Sequence, residues 1–215
     1  MTSEEKRVAT ASSLRELGHE FVGRALSDEQ LDDLREALRA PLERVRDAPL
    51  RVREFSRNGI EEFTLAIPTI DEAGQRQIFS DSFVAGATNP MGLNAQLWRD
   101  GDVACMRVTL GHAFEGAPGR AHGGVVAALL DEVMGLSNMI HGAMAFTAQL
   151  DITYLAPTPV GEPIVARAWL ARRDDRKHFV EASLHADDVL IATAKALFIT
   201  IDRATFLDQL PTTED

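Results

Sequence analysis

Residues 122–132 read His122-Gly123-Gly124-Val125-Val126-Ala127-Ala128-Leu129-Leu130-Asp131-Glu132, and the helical pattern they open continues to about Ile140. Set at 100° per residue, this helix has two unlike faces. One carries Val126, Leu129, Val133, Leu136 and Ile140, all large and aliphatic. The other carries Gly124, Ala127, Ala128, Asp131, Gly135 and Asn138. The large face is expected to pack on a sheet. The second face is small rather than charged, so another backbone or a ligand can approach it closely. A carboxylate in the middle of such a stripe, Asp131, is costly to desolvate unless it is paired or used. Glu132, about 100° further round, reads as structural.

The start of this helix is the second candidate element. Gly123 and Gly124 fall in the first turn, where backbone N–H groups lack intrahelical partners and the helix dipole is positive. Without Cβ atoms they let a carbonyl oxygen reach those donors, as an oxyanion hole requires. His122 is placed to cap the helix or orient the loop. From Gly123 to Asp131 is eight residues, roughly 12 Å along the axis. One carbonyl cannot be served by both, since reacting groups must lie within about 3–3.5 Å. If they belong to one site, the acid comes from a second copy of the helix. Two such helices lying antiparallel would exchange acids, which predicts a two-fold dimer with shared sites.

Working outward, residues 93–203 form the main domain. Leu93 begins a hairpin, NAQLWRDGDVACMRVTL, with its turn at Arg99-Asp100-Gly101-Asp102. A Gly- and Pro-rich loop, GHAFEGAPGRA, leads into the helix. Four strand-like segments follow it: AFTAQLDITYLA, EPIVARAWLARR, KHFVEASLHA and VLIATAKALFITI. One hairpin, one buried helix and several consecutive antiparallel strands make an α+β unit with a curled sheet around a central helix. Residues 1–50 read as a charged helical arm. Ser27 or Asp28 caps a helix there, and Pro41 is expected to break or kink it. Residues 51–92 are a connecting segment in which EEFTLAIPTI and QIFSDSF are candidate strands. Residues 204–215 are a polar tail.

Composition sets further limits. The 45% hydrophobic and 26% charged fractions are ordinary for a globular chain. A single cysteine, Cys105, excludes a disulfide framework and a cysteine zinc site. The opening MTSEEKRVAT is not followed by an apolar core, so no signal peptide is expected, nor a membrane span, and the expected location is the cytoplasm. The net charge of −11 argues against a nucleic-acid partner. No G-x-S-x-G occurs, which disfavours a serine hydrolase. His112, His122 and His141 match no ligand motif, so neither metal nor cofactor is expected.

The segment HGGVVAALLDE, with the preceding FEGAPGRA, resembles the signature of hot-dog thioesterases of the phenylacetate-degradation and 4-hydroxybenzoyl-CoA type, especially their acyl-CoA thioesterase relatives. The resemblance covers roughly residues 90–201. It implies a hot-dog fold, a homodimer or dimer of dimers, and hydrolysis of a fatty-acyl or aryl-CoA thioester to free acid and CoA. It assigns the carbonyl donor to Gly123, the nucleophile or general base to Asp131, and a water-holding hydroxyl to Thr147, ahead of Asp151-Ile152-Thr153-Tyr154. His122, Gly124, Arg120 and Asn138 are the candidate substrate contacts. Strand alternation alone puts Thr147 with Gln149, Asp151 and Thr153 on a wet polar face.

Many relatives carry Asn or Gln six residues before the motif histidine, where this chain has Gly116. Either backbone alone serves the oxyanion, or Glu115 or a water assists. Coenzyme A is anionic, so binding it against the global charge needs local cations. Arg120 and the run Arg172, Arg173, Arg176, Lys177 are the candidates, although ARRDDRKH also reads as a solvated hairpin. The aliphatic residues Leu130, Met134 and Met139 suggest an apolar acyl pocket. The alternative function is a non-catalytic acyl-CoA-binding or regulatory protein on the same fold.

Overall fold

A computed structural model describes residues 1–51, 67–69 and 80–202 of the chain. Two helices come first, α1 (Ser3–Gly23) and α2 (Asp28–Arg46). Each opens on a reciprocal cap: Thr2 with Glu5, and Ser27 with Gln30. The helix runs unbroken through Pro41, contrary to the break expected from sequence. Proline removes one backbone donor, and α2 buries no residue, so water can serve the carbonyl left without a partner. Residues 61–66, 70 and 77–79 of the two candidate strands lie outside the described residues. The rest of QIFSDSF, Ser80–Phe83, is turn rather than strand.

The main unit follows the expected order. Strands β1 (Gln96–Asp100) and β2 (Val103–Thr109) form the hairpin, with Gly101 at φ +60° in its two-residue turn. The Gly/Pro-rich loop is more structured than its composition suggests. It holds a 3-10 turn, His112–Phe114, and a small ladder of β3 (Glu115–Ala117) with β4 (Arg120–Ala121). Helix α3 (Gly123–Ile140) is followed by β5 (Ala145–Tyr154), β6 (Pro163–Asp174), β7 (Lys177–Ala186) and β8 (Val189–Thr200). The six long strands make one antiparallel sheet in the order β1-β2-β6-β7-β8-β5.

Small side chains seat the helix on this sheet. Cross-strand partners share a face, and the register aligns Ala104, Ala168, Ala182 and Ala194 in one row that ends on Ile152 of β5. All four alanines are buried. They leave room for Leu129, Leu130, Val133 and Met134 of α3, which are fully buried in the same core. Among the described residues, α3 is the one helix long and apolar enough to cross a membrane, but its large face is spent on the sheet. Leu130 and Met134 are therefore core residues and not the lining of an open acyl pocket, while Met139 packs at the core's edge.

Because the alanine floor sets how closely helix and sheet approach, added bulk there should separate them. Ala182→Leu is expected to cost about 1–3 kcal/mol, read from urea denaturation. An unchanged midpoint would show that the floor is not close-packed.

Candidate active site

The helix start leaves a specific donor open. His122 caps α3, and its Nδ1 accepts from the Gly124 N–H at 2.9 Å. The His122 carbonyl takes the N–H groups of Val125 and Val126. Among the described residues the Gly123 N–H has no acceptor, so it is the one first-turn donor left for a ligand. Gly123 lines a cleft of about 370 Å³ bounded by residues 116–123 and 154–158, with exposed Arg120 on its wall. A Cβ at Gly123 would meet the Tyr154 hydroxyl at an ordinary 3.4 Å, so packing within this chain does not demand glycine there. What glycine preserves is open approach from the cleft. Of the expected contacts, Gly123, His122 and Arg120 meet here, whereas the Gly124 donor is already taken by His122.

Gly116 also acquires a physical reason. A Cβ at that position would lie 2.8 Å from the His122 Cα. The loop backbone packs directly on the capping histidine, and an Asn or Gln would force it away. Glu115 does not take up the missing role. Its carboxylate meets His112 Nδ1 at 2.7 Å, and that bond, reinforced by the Gly119 N–H, holds its pKa below the usual carboxylate range. An ionised carboxylate carries no proton to donate to an oxyanion. Of the expected alternatives this removes Glu115 and leaves backbone alone or a water.

The second element lies two turns further along. Thr147 Oγ1 donates to Asp131 Oδ1 at 2.7 Å. Thr147 reaches the helix because β5 carries a bulge. The register shifts between Thr147, opposite buried Phe198, and Gln149, opposite Leu197. The extra residue, Ala148, reverses the alternation. Thr147 therefore shares the helix-facing side with Leu150, Ile152 and Tyr154, not the outer face with Gln149, Asp151 and Thr153 as simple alternation predicted. At the other end of β5, Tyr154 Oη donates to the Gly123 carbonyl at 2.8 Å. One strand is thus tied to both candidate elements of the helix, its start and its midpoint. Tyr154 was not singled out from sequence as a site residue, although it ends the D-x-x-Y segment that was.

Asn138 is placed elsewhere. It is buried, its amide donates to the Met134 carbonyl, and its Oδ1 accepts from His178 Nδ1 at 2.9 Å. Burial first, then Arg173 and His141, push the His178 pKa down, which keeps this ring neutral. Asn138 stabilises the helix–sheet contact away from the cleft.

Glu132 is also turned inward. Ser82 Oγ donates to it at 2.8 Å and accepts from the Val84 N–H, joining the 80–95 loop to α3. Burial raises the Glu132 pKa, Asp131 adds to the rise, and the Ser82 bond partly offsets both. Of the basic run, Arg172 stacks on Phe179 at 3.7 Å and Arg176 bonds the Thr200 carbonyl. Among the described residues no group of three His, Cys, Asp or Glu could hold a metal ion.

Comparison with known proteins bears on the fold and the family. The model of the thioesterase superfamily matches residues 118–193, the span from the cleft loop to β8. This segment is similar to thioesterase-superfamily domains. A crystal structure of a thioesterase superfamily protein aligns with a TM-score of 0.74 at 24% identity, covering 90% of each chain. The α+β architecture is the hot-dog fold expected from the motif. Acyl-coenzyme A thioesterase THEM4 of Mus musculus is 36% identical over 91 residues, 41% of this chain and 39% of its own length. THEM4 of Bos taurus is 27% identical over 137 residues, 61% of this chain and 54% of its own. Human acyl-coenzyme A thioesterase THEM5 is 33% identical over 86 residues, 40% and 35% respectively. The chain thus spans about a third to a half of the length of these curated relatives.

A carboxyl whose folded pKa is raised stabilises the fold most below its unfolded value of 4.5, and that contribution is lost as pH rises through the folded value. Glu132→Gln keeps an acceptor for Ser82 without the charge. The variant should lack the fall in stability that the parent shows on going from pH 4.5 upward through the Glu132 titration. Thermal melts across that interval check it, and superimposable curves would contradict the assigned burial.

Proposed function

We propose that this chain hydrolyses an acyl-CoA thioester to the free acid and CoA, in a two-fold dimer whose sites each combine Gly123 of one protomer with Asp131 of the other. One observation carries the proposal. The open Gly123 N–H and the Thr147-bonded Asp131 are eight residues apart on one rigid helix, roughly 12 Å, too far to act on one carbonyl.

In this reading the thioester oxygen accepts from the Gly123 N–H at the positive end of α3. Asp131 takes a proton from water as that water attacks the carbonyl carbon, or attacks the carbon itself to give an acyl–Asp131 anhydride that water then hydrolyses. Thr147 spends its proton on Asp131 and keeps lone pairs free to hold the attacking water. As the tetrahedral intermediate collapses, the C–S bond breaks and the CoA thiolate leaves, to be protonated from water. Arg120 supplies a cation on the cleft wall beside the proposed carbonyl site, where an anionic CoA must approach a chain of net charge −11. The names of the relatives support the substrate class.

Two surfaces support the dimer. The small stripe of α3 is incompletely covered, and a Cβ at Gly135 would meet nothing within 4 Å. Among the described residues strand β5 ends the sheet order, and Tyr154 on it is 50% exposed. A ten-residue edge strand offers a row of backbone groups to a second copy. Antiparallel pairing of β5 with its copy about a two-fold axis would lay the two α3 helices antiparallel.

Asp131→Asn should lower kcat at least about 10²-fold over a panel of acyl-CoA chain lengths while sedimentation still gives a dimer. Thr147→Val should cost about tenfold. Full turnover in the Asp131 variant would sink this mechanism. Acyl-CoA binding without turnover in the parent would favour the non-catalytic alternative.

A further inference from the structure

Helix α1 meets the cleft loop through two histidines laid over two glycines. His19 rests on Gly111, where a Cβ would fall inside contact distance of the ring Nδ1. His112 rests on Gly23, where a Cβ would come within 2.6 Å of its Cδ2. His19 Nδ1 accepts from the Ala113 N–H at 3.1 Å, and its ring meets Phe114 edge-on with centroids 5.0 Å apart. These contacts grip the 3-10 turn at both ends, and the turn closes through Phe114 N–H to the Gly111 carbonyl. The Phe114 carbonyl in turn accepts from the His122 N–H at 2.8 Å. His122 is the cap residue that immediately precedes Gly123.

An unbroken relay of short contacts therefore runs from the arm to the open donor: His19, the Ala113–Phe114 turn, His122, Gly123. Nothing in a minimal hot-dog sheet requires a helix at this place. We propose that His19 is a positioning residue for the Gly123 N–H, fixing through the 112–114 turn the place of the donor that receives the substrate carbonyl. This rests on the reading of Gly123 given above. A shift of about 1 Å in such a donor suffices to cost on the order of 10²-fold in rate.

The acceptor role requires His19 Nδ1 to be unprotonated, with the ring proton on Nε2. The charged groups facing it are Arg15 and Glu20 on its own helix and His112 from the turn, which is itself bonded to Glu115. Burial, Arg15 and His112 hold the His19 pKa below its ordinary 6.5, with Glu20 opposing. Docking is thus complete above pH 6.5 and is lost as pH falls through the folded value, when Nδ1 gains a proton and faces the Ala113 N–H as a second donor.

Three variants of the full chain test this. His19→Ala removes the acceptor. Gly111→Ala expels the ring, and φ −94°, ψ 177° at that residue suits alanine, so the substitution acts through His19 alone. His19→Asn supplies an amide oxygen as a substitute acceptor that does not titrate. His19→Ala and Gly111→Ala should lower kcat by about 10- to 100-fold with KM within about twofold, and speed amide exchange in residues 111–124 but not in β7 and β8. His19→Asn should recover kcat to within about threefold and lose the parent's decline below pH 6.5. Unchanged exchange at 111–124 in the first two variants would overturn the proposal, as would equal impairment in all three. A parent without turnover would count against the thioesterase reading, and the exchange experiment would still decide whether His19 orders the donor loop.

Discussion

The seating of α3 on a floor of alanines is the contact on which the rest depends. It fixes the helix as one rigid rod, with an open N–H at its first residue and a threonine-bonded carboxylate two turns later. Substituting a larger residue in the floor would lift the rod from the sheet and loosen both ties that β5 makes to it, Tyr154 to Gly123 and Thr147 to Asp131. The same rigidity makes a single protomer incomplete for the proposed chemistry. A flexible loop could fold a base back onto a donor, but a helix of fixed rise cannot. In the proposed reading the demand for a second copy follows from that geometry, and the resemblance implies the same.

Much of the scaffold was legible in the sequence because it is encoded in local periodicity. The span of α3, the β1–β2 hairpin and the four later strands all appear where apolar spacing and turn residues put them. What escaped was set by contacts distant in sequence or by an irregularity of one residue. The bulge at Ala148 moves Thr147 from a wet outer face to the helix, and no composition signal marks it. Asn138 lies on the same turn-to-turn line as Asp131, yet β7 covers it with His178. Leu130 and Met134 looked like pocket lining because apolar content alone does not distinguish a cavity wall from a filled core. Gly116 looked like a lost polar residue until the His122 backbone was found against it.

The arm shows a related limit. Its helices were readable from caps and charge, but not where they dock, because docking depends on Gly23 and Gly111 being bare enough to admit a ring each. Charge poses the opposite problem. In the proposed reading, a net −11 chain with one exposed arginine at its cleft meets an anionic substrate with few cations in place.

The central claim is that each site is built from two chains, and subunit complementation tests it most directly. Gly123→Pro deletes the open N–H at a first-turn position where proline is tolerated, and His122 already has the extended φ −64°, ψ 135° that a following proline favours. Asp131→Asn deletes the acid. Each homodimer should be nearly inactive, and the heterodimer, isolated through two different tags, should hold one intact site and recover about half the wild-type turnover. A heterodimer as inactive as its parents would place donor and acid of each site in a single chain and contradict this account.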